Sequence, residues 1–543
     1  MANIITSKFR SDSVRFFLND LQNNDYYLHV SSAVRTTAVN SLFSQTDFLE
    51  KTIFGKKIDS EENFFYMIKN YPWQSGLVFD QYDDREDLAD KRYYAVVYPQ
   101  DEDIDNYKVY KCLFNNYGSP SQFSPNYNVG QTDQIYSMGD GYIWKFMYEI
   151  SVSDFDKYNT IGYIPITSDT LVANADFTSS TVEEIVVTNK DTNNGYEKIE
   201  GTVQSVNEIN GTFDTIVIDT SSGYTLSEIA GFYSGQSFYA TNTLTGFSNV
   251  YTIDTYTFNA IEGQGVITLL GNPAVDSIII APPGSEKPTK FQILPRIEIT
   301  GDGTGARAIA DVFDGSIVGI TTINKGSGYT RAIANVIDPT AFSPTDENRL
   351  DVRATLRPIL SPRGGHASNL IDELSCKHCM LFTELTEVDN VTIPDSNQYS
   401  KIGLVKNPEF TSSNNDIFDN RISVELSSVQ PISVNDLVLQ VNTDNETIFE
   451  ARVHEISANT VYLSEFHGPY QDQANTNFSI DPDLSIRSPQ GDLLQINTDG
   501  GGDPIITYPI YVPKTGDVYY MNDFFSVERT EDSRELFKIV IEF

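Results

Sequence analysis

The stretch Gly139-Asp140-Gly141-Tyr142-Ile143-Trp144-Lys145-Phe146-Met147-Tyr148-Glu149-Ile150 decides the reading of this chain. Asp140-Gly141 supplies a tight turn, and Tyr142, Trp144, Phe146, Tyr148 and Ile150 then fall on one face at the two-residue period of a strand. Four aromatics in succession make that face a core face. The texture extends outward: residues 92–98, 107–113 and 133–138 alternate in the same way, and Phe537, Ile539, Ile541 and Phe543 do so at the far end, which predicts that the last residues are paired into a sheet. Aromatic residues are 12% of the chain, 31 Tyr and 32 Phe, and Gly, Asn, Thr, Ser and Asp fill the intervals. That pattern favours β structure. The fold class expected is mainly β, as multidomain, β-sandwich-like modules with a few short helices and an α+β N-terminal region.

Helices are expected in three places. Val14, Phe17, Leu18 and Leu21 carry helical spacing near the start. Ser60 is placed to cap a helix whose first turn holds Glu61 and Glu62, with Phe64, Phe65, Ile68 and Tyr71 as its apolar face and Pro72 as its stop. A short helix runs through Leu370, Ile371 and Leu374.

From about 175 to 345 short Ile/Val/Thr strands alternate with glycine turns, and a motif repeats weakly. Glu184 to Asn189 followed by Asn194-Gly195-Tyr196 has a partner in Gly319 to Asn324 followed by Lys325-Gly326-Ser327-Gly328-Tyr329-Thr330. A third echo, Ser221-Ser222-Gly223-Tyr224-Thr225, follows Thr215-Ile216-Val217-Ile218. The unit is a strand, a turn with a residue at positive φ, and a Tyr that lids the turn. Three irregular echoes fall short of a solenoid.

The net charge of −38, from 75 acidic against 37 basic residues, argues against a phosphate-binding surface, because counterion release requires clustered Lys and Arg. Nucleic acid is therefore not an expected partner. No run of about 18 apolar residues occurs, so membrane insertion is not expected, and the start lacks the order of a signal peptide. Three Cys cannot build a disulfide framework, which points to folding in a reducing cytoplasm.

Four constellations invite chemistry. Gly301-Asp302-Gly303-Thr304-Gly305 follows a strand as phosphate loops do, but Ala306, Ala308, Ala310 and Val312 then alternate where a helix is required, so a hairpin is expected. Cys376-Lys377-His378-Cys379 has half-zinc or redox spacing. It lacks a second ligand pair and follows a predicted helix instead of opening one, so two small buried residues flanking a loop are expected. Asp101-Glu102-Asp103-Ile104-Asp105 begins like a calcium loop, yet Asn106 and Cys112 stand where Gly and Glu are needed; a solvated acidic turn is expected there and at residues 80–90. His29, His366, His454 and His467 are scattered without a nucleophile elbow. No catalytic, cofactor-binding or metal-binding residue is assigned, and no enzyme activity or cofactor is expected.

The Gly139 to Ile150 block resembles one in the dimeric baseplate wedge subunit of T-even-type contractile-tailed phages, the gene product eight family. The opening segment Ile4-Ile5-Thr6-Ser7-Lys8-Phe9-Arg10 is similar to that family's start. Gly516-Asp517-Val518-Tyr519-Tyr520-Met521-Asn522 and the stretch from Arg529 to Phe543 resemble its closing segments, and Lys108-Val109-Tyr110-Lys111-Cys112-Leu113 matches more weakly. The resemblance covers about residues 1–168 and 503–543. It implies a wedge-family core at 1–168, an inserted β module at 169–345, a second at 346–502, and a C-terminal strand segment at 503–543 that returns to the core. The glycine-tyrosine turns, Leu360 to His366 and Tyr399 to Pro408 look similar to modules of other phage structural proteins. The family implies a structural, homodimeric subunit joined to other wedge subunits in the virion tail baseplate, acting in assembly and in transmitting the rearrangement that triggers sheath contraction. A tail-associated adhesin or a polysaccharide-binding or depolymerising protein is the alternative, suggested by the Tyr, Asn and Gly-rich β region and the many carboxylates.

Overall fold

The computed structural model describes residues 6–32, 45–83, 86–88, 90–99, 106–125, 135–166, 180–243, 245–271, 273–274, 289–337, 353–362, 365–385, 399–412, 416–467, 480–523 and 535–543. The expectations at Ile4-Ile5, at 101–105, at 133–134 and at 529–534 lie outside these residues. The protein is mainly β, half strand and 8% helix. It forms two compact units, residues 6–7 with 69–376 and residues 8–68 with 377–543. Most of the first 68 residues share a unit with the end of the chain, and the aromatic strand lies in the other.

In the 69–376 unit the strand Tyr142–Ile150 pairs with Tyr107–Asn115 and Ile135–Ser137, and Tyr94–Val97 completes an antiparallel sheet. Trp144 is fully buried, edge-on to Phe79 at 5.1 Å and stacked on Tyr142 at 5.5 Å. The opposite face is buried too, through Lys145 and Met147, so this strand is covered on both sides where alternation marked only one. Gly141 turns at φ +81°. Asp140 ties that turn down: one carboxylate oxygen accepts from the Gln122 and Phe123 amides at 2.6 and 3.1 Å, and the other from Tyr142 N at 3.1 Å.

The strand Val182–Val187 pairs with Leu356–Leu360, across the expected boundary at 345/346. These two pack with a four-stranded antiparallel sheet, Ser316–Asn324, Arg307–Phe313, Arg296–Gly301 and Ala332–Ile337. Tyr196 and Tyr329, from the first two echoes, lie in this one core. A Cβ on Gly326 would sit 2.8 Å from the Tyr329 ring, so the ring does lid its glycine turn. The third echo belongs elsewhere, with Tyr224 against the core of a closed six-stranded barrel. That barrel runs Ile199–Ile209, Thr212–Thr220, Gln264–Leu269, Ser248–Asn259, Ser237–Asn242 and Thr289–Leu294. Closure leaves it no unpaired edge.

In the other unit Tyr26–Ser32 sits at the centre of a five-stranded sheet, between Thr52–Lys57 and Tyr399–Lys406, with Ile417–Asp419 and Asp517–Asp523 at the edges. The helix Ser7–Asn23 buries Val14, Phe17 and Leu21. The terminal strand Glu535–Glu542 pairs with His378–Leu385 along its whole length and buries Phe537 and Ile539. A seven-stranded sheet between Ile422 and Thr507 has its own core.

The helix expected at Ser60 is corrected. Asp59, and not Ser60, accepts from the Glu61 and Glu62 amides at 2.7 and 3.0 Å, which makes a turn. Phe64–Lys69 is a strand that pairs with His378–Leu385. Its aromatic and branched residues satisfy a strand when a partner edge is present, and tertiary pairing overrides the helical spacing.

Candidate functional site

The densest chemistry lies in the 69–376 unit. Lys111 projects from Tyr107–Asn115, and Glu373 ends the short helix Leu370–Glu373, whose first turn is held by the Asn369 side chain accepting from Asp372 N at 3.2 Å. His366 lies in the preceding turn, after Gly365 at φ +92°. Lys111 Nζ donates to Glu373 Oε2 at 2.6 Å, and His366 Nδ1 is 3.8 Å from the same oxygen. Side-chain exposures of 0%, 4% and 0% for Lys111, Glu373 and His366 put all three out of reach of solvent. The Lys111 ammonium rests 4.0 Å from the centre of the Tyr82 ring, and Tyr93 Oη donates to Glu373 O at 3.1 Å.

Burial alone would raise the Glu373 carboxyl. The charge on Lys111 and the His366 ring outweigh it and bring it down to about 2. Burial, then the Lys111 charge, push His366 down to about 4 against the opposing pull of Glu373. The histidine is thus neutral beside a charged Lys–Glu pair. Lysine, carboxylate and imidazole can in principle relay protons, but a small cavity of about 60 Å³ nearby, lined by Tyr82, Asp83, Arg331 and Arg357, does not include them. What the cluster does is join the aromatic sheet to the 365–376 segment.

Gly301-Asp302-Gly303-Thr304-Gly305 connects two antiparallel strands, as a hairpin reading requires, and Asp302 accepts from the Thr330 and Arg331 amides at 2.9 and 3.0 Å. Cys376 and Cys379 are buried and form no disulfide; Cys376 follows the short helix, and Cys379 lies inside the strand His378–Leu385. In the 80–90 stretch, Asp80 accepts from Arg92 N at 2.7 Å and Asp83 is 3.6 Å from Arg357. His29 and His454 are buried, and burial pushes each down to about 3, with the Arg421 charge adding to it at His454. His467 lies in the strand Thr460–His467. Glu184, on Val182–Val187, is pushed up to about 7 by burial. Among the described residues no group of three or more His, Cys, Asp or Glu is placed to hold a metal ion, and no helix is long and apolar enough to cross a membrane.

The sequence reading missed the buried triad. Its one signal was a lysine in the middle of the alternating segment Lys108 to Leu113, where a strand covered on both faces must neutralise it. No protein-family model matches this chain, and no curated protein matches it.

Proposed function

We propose that this chain is a structural subunit of a contractile-tailed phage baseplate wedge, working as a homodimer with other wedge subunits. The observation that carries the reading is the ordered set of sequence blocks at the start, at Gly139 to Ile150 and at the end. Two of these blocks contribute to a core: Trp144 and Phe146 in one unit, Phe537 and Ile539 in the other. Blocks of that kind specify a scaffold. Polar groups inside the scaffold are tied to other parts of the fold, as in Lys111–Glu373 and in Arg421, which is paired to both Asp419 and Glu455. The mechanism is mechanical: stiff antiparallel modules pass on a rearrangement of the baseplate when the sheath contracts.

The test is antibody labelling of intact virions with serum against residues 175–500. Label at the baseplate is expected, and label confined to fibres or head would sink the proposal. Light scattering on the purified chain at micromolar concentration should give a dimer; a monomer would count against the assembly part of the reading.

A further inference from the structure

A cleft of about 540 Å³ lies between the barrel and the four-stranded sheet that follows it, within the range typical of ligand sites. One wall is the barrel strand Ser248–Asn259, through Asn249, Tyr251 and Thr252; the other carries Arg296, Glu298 and Arg307. Leucine, valine and isoleucine side chains fill in between, at Leu270, Val250 and Ile297.

The polar groups are linked in a row. Arg307 Nη1 donates to Asn249 Oδ1 at 3.3 Å, and Asn249 Nδ2 donates to Tyr251 Oη at 3.2 Å. Arg296 Nη2 reaches Glu298 Oε1 at 3.2 Å. Among the described residues no carboxylate pairs with Arg307, in a chain with twice as many acidic as basic residues. Two guanidiniums against one carboxylate make the cleft a locally positive spot on an acidic protein.

The composition narrows the ligand. Arg307 offers a planar fork suited to a carboxylate. Glu298 in the same wall would repel a second negative charge, which disfavours polyphosphate and nucleic acid, and it accepts from hydroxyls. The Asn249 amide oxygen already accepts from Arg307 and from Val250 N at 2.9 Å, so the amide serves a hydroxyl as donor, and the half-buried Tyr251 ring presents an apolar body with a polar tip.

We propose that this cleft binds an acidic saccharide: a sugar ring with one carboxylate on Arg307, hydroxyls on Asn249 and Glu298, and its apolar face against Tyr251. The site stands independently of the wedge assignment and gives the barrel a recognition role within whatever particle carries it.

The test is calorimetric titration of the full-length protein with trigalacturonate at low ionic strength. Saturable binding is expected, weaker by at least about tenfold for the fully methyl-esterified trisaccharide and for Arg307→Gln, the loss anticipated when a charged hydrogen-bonded pair is removed. Arg307 is exposed, so the variant should keep the wild-type melting temperature; should it not fold, the ester comparison on the wild-type protein decides alone. Absence of saturable binding, equal affinity for the ester, or displacement by an equal concentration of inorganic phosphate would overturn the proposal. Virion labelling is unaffected by any of these results, so the two readings fail separately.

Discussion

His366, in the 69–376 unit, is buried beside an ion pair, whereas His29, in the unit built from the two ends of the chain, is buried among rings. His29 lies on the central strand Tyr26–Ser32, opposite Gly55 on one neighbour and Gly403 on the other. Those glycines make slots: a Cβ on Gly55 would stand 2.5 Å from Phe418, and one on Gly403 2.5 Å from Phe48. Phe418 and Tyr511 meet the imidazole edge-on at 5.2 and 5.3 Å. Its Nδ1 has only Thr52 Oγ1 at 3.3 Å, and its Nε2 has no hydrogen-bond partner among the described residues. The histidine there acts as a flat, slightly polar ring. Around His366 the charges of Lys111 and Glu373 justify each other, and the neutral ring lies beside them with no hydrogen bond to either nitrogen among the described residues. The two surroundings tolerate single changes unequally. An unpaired buried group can be replaced by an apolar one of similar shape, while a paired charge cannot be removed alone.

The largest effect should come from breaking the pair. Lys111→Met leaves Glu373 charged and buried, and is expected to destabilise the 69–376 unit by about 3–5 kcal/mol. The double variant Lys111→Met with Glu373→Leu should recover most of that loss. The two tryptophans, Trp73 and Trp144, both lie in this unit, so denaturant unfolding followed by tryptophan fluorescence reports it separately. A Lys111→Met loss below about 1 kcal/mol would show that the pair is not what holds the 365–376 segment.

Acid should act next. For His29 and His366 the folded form resists protonation, with values of about 3 and about 4 against an ordinary 6.5. Below pH 6.5 the unfolded chain therefore binds the extra proton first, and stability falls as pH drops, by about 1.4 kcal/mol per pH unit for each such histidine. The His366 contribution ends near pH 4 and the His29 contribution near pH 3. Glu373, depressed to about 2, adds a further loss below about pH 4.5. His29→Phe should remove one histidine's share of the slope between pH 6.5 and 4.5, read as the pH dependence of urea unfolding by far-ultraviolet dichroism. An unchanged slope would mean that His29 finds a proton partner in the fold.

Much of the frame was readable from local pattern. Tyr142–Ile150, the terminal strand and the short helix at Leu370 each show their period within a few residues. What was not readable depends on distance along the chain. Phe64–Lys69 satisfies helical and strand spacing alike, and only the edge offered by His378–Leu385, more than 300 residues later, decides it. Barrel closure requires Ile199–Ile209 to meet Thr289–Leu294, and nothing local marks that contact. The triad fails for the same reason: Glu373 is one of 75 acidic residues, and its meaning comes from Lys111, which lies 262 positions earlier.

The smallest test sets a hydroxyl that accepts from a backbone amide against one with no hydrogen-bond partner among the described residues, inside a single core. Tyr196 and Tyr329 end matching strand-and-turn echoes and are buried to the same degree, 4% and 3% exposed. Yet Tyr196 Oη accepts from Ala354 N at 2.8 Å, while the contribution of Tyr329 is its ring against Gly303 and Gly326. Tyr196→Phe leaves a buried amide without its acceptor and should cost about 1–3 kcal/mol. Tyr329→Phe keeps the ring and should stay within about 0.5 kcal/mol of the parent. Hydrogen exchange at Ala354 gives an independent readout, since its amide should lose protection in the first variant and keep it in the second. Equal costs for the two would mean that the echoes are alike in energy as well as in sequence, and that the partner of a buried hydroxyl matters less here than the ring beneath it.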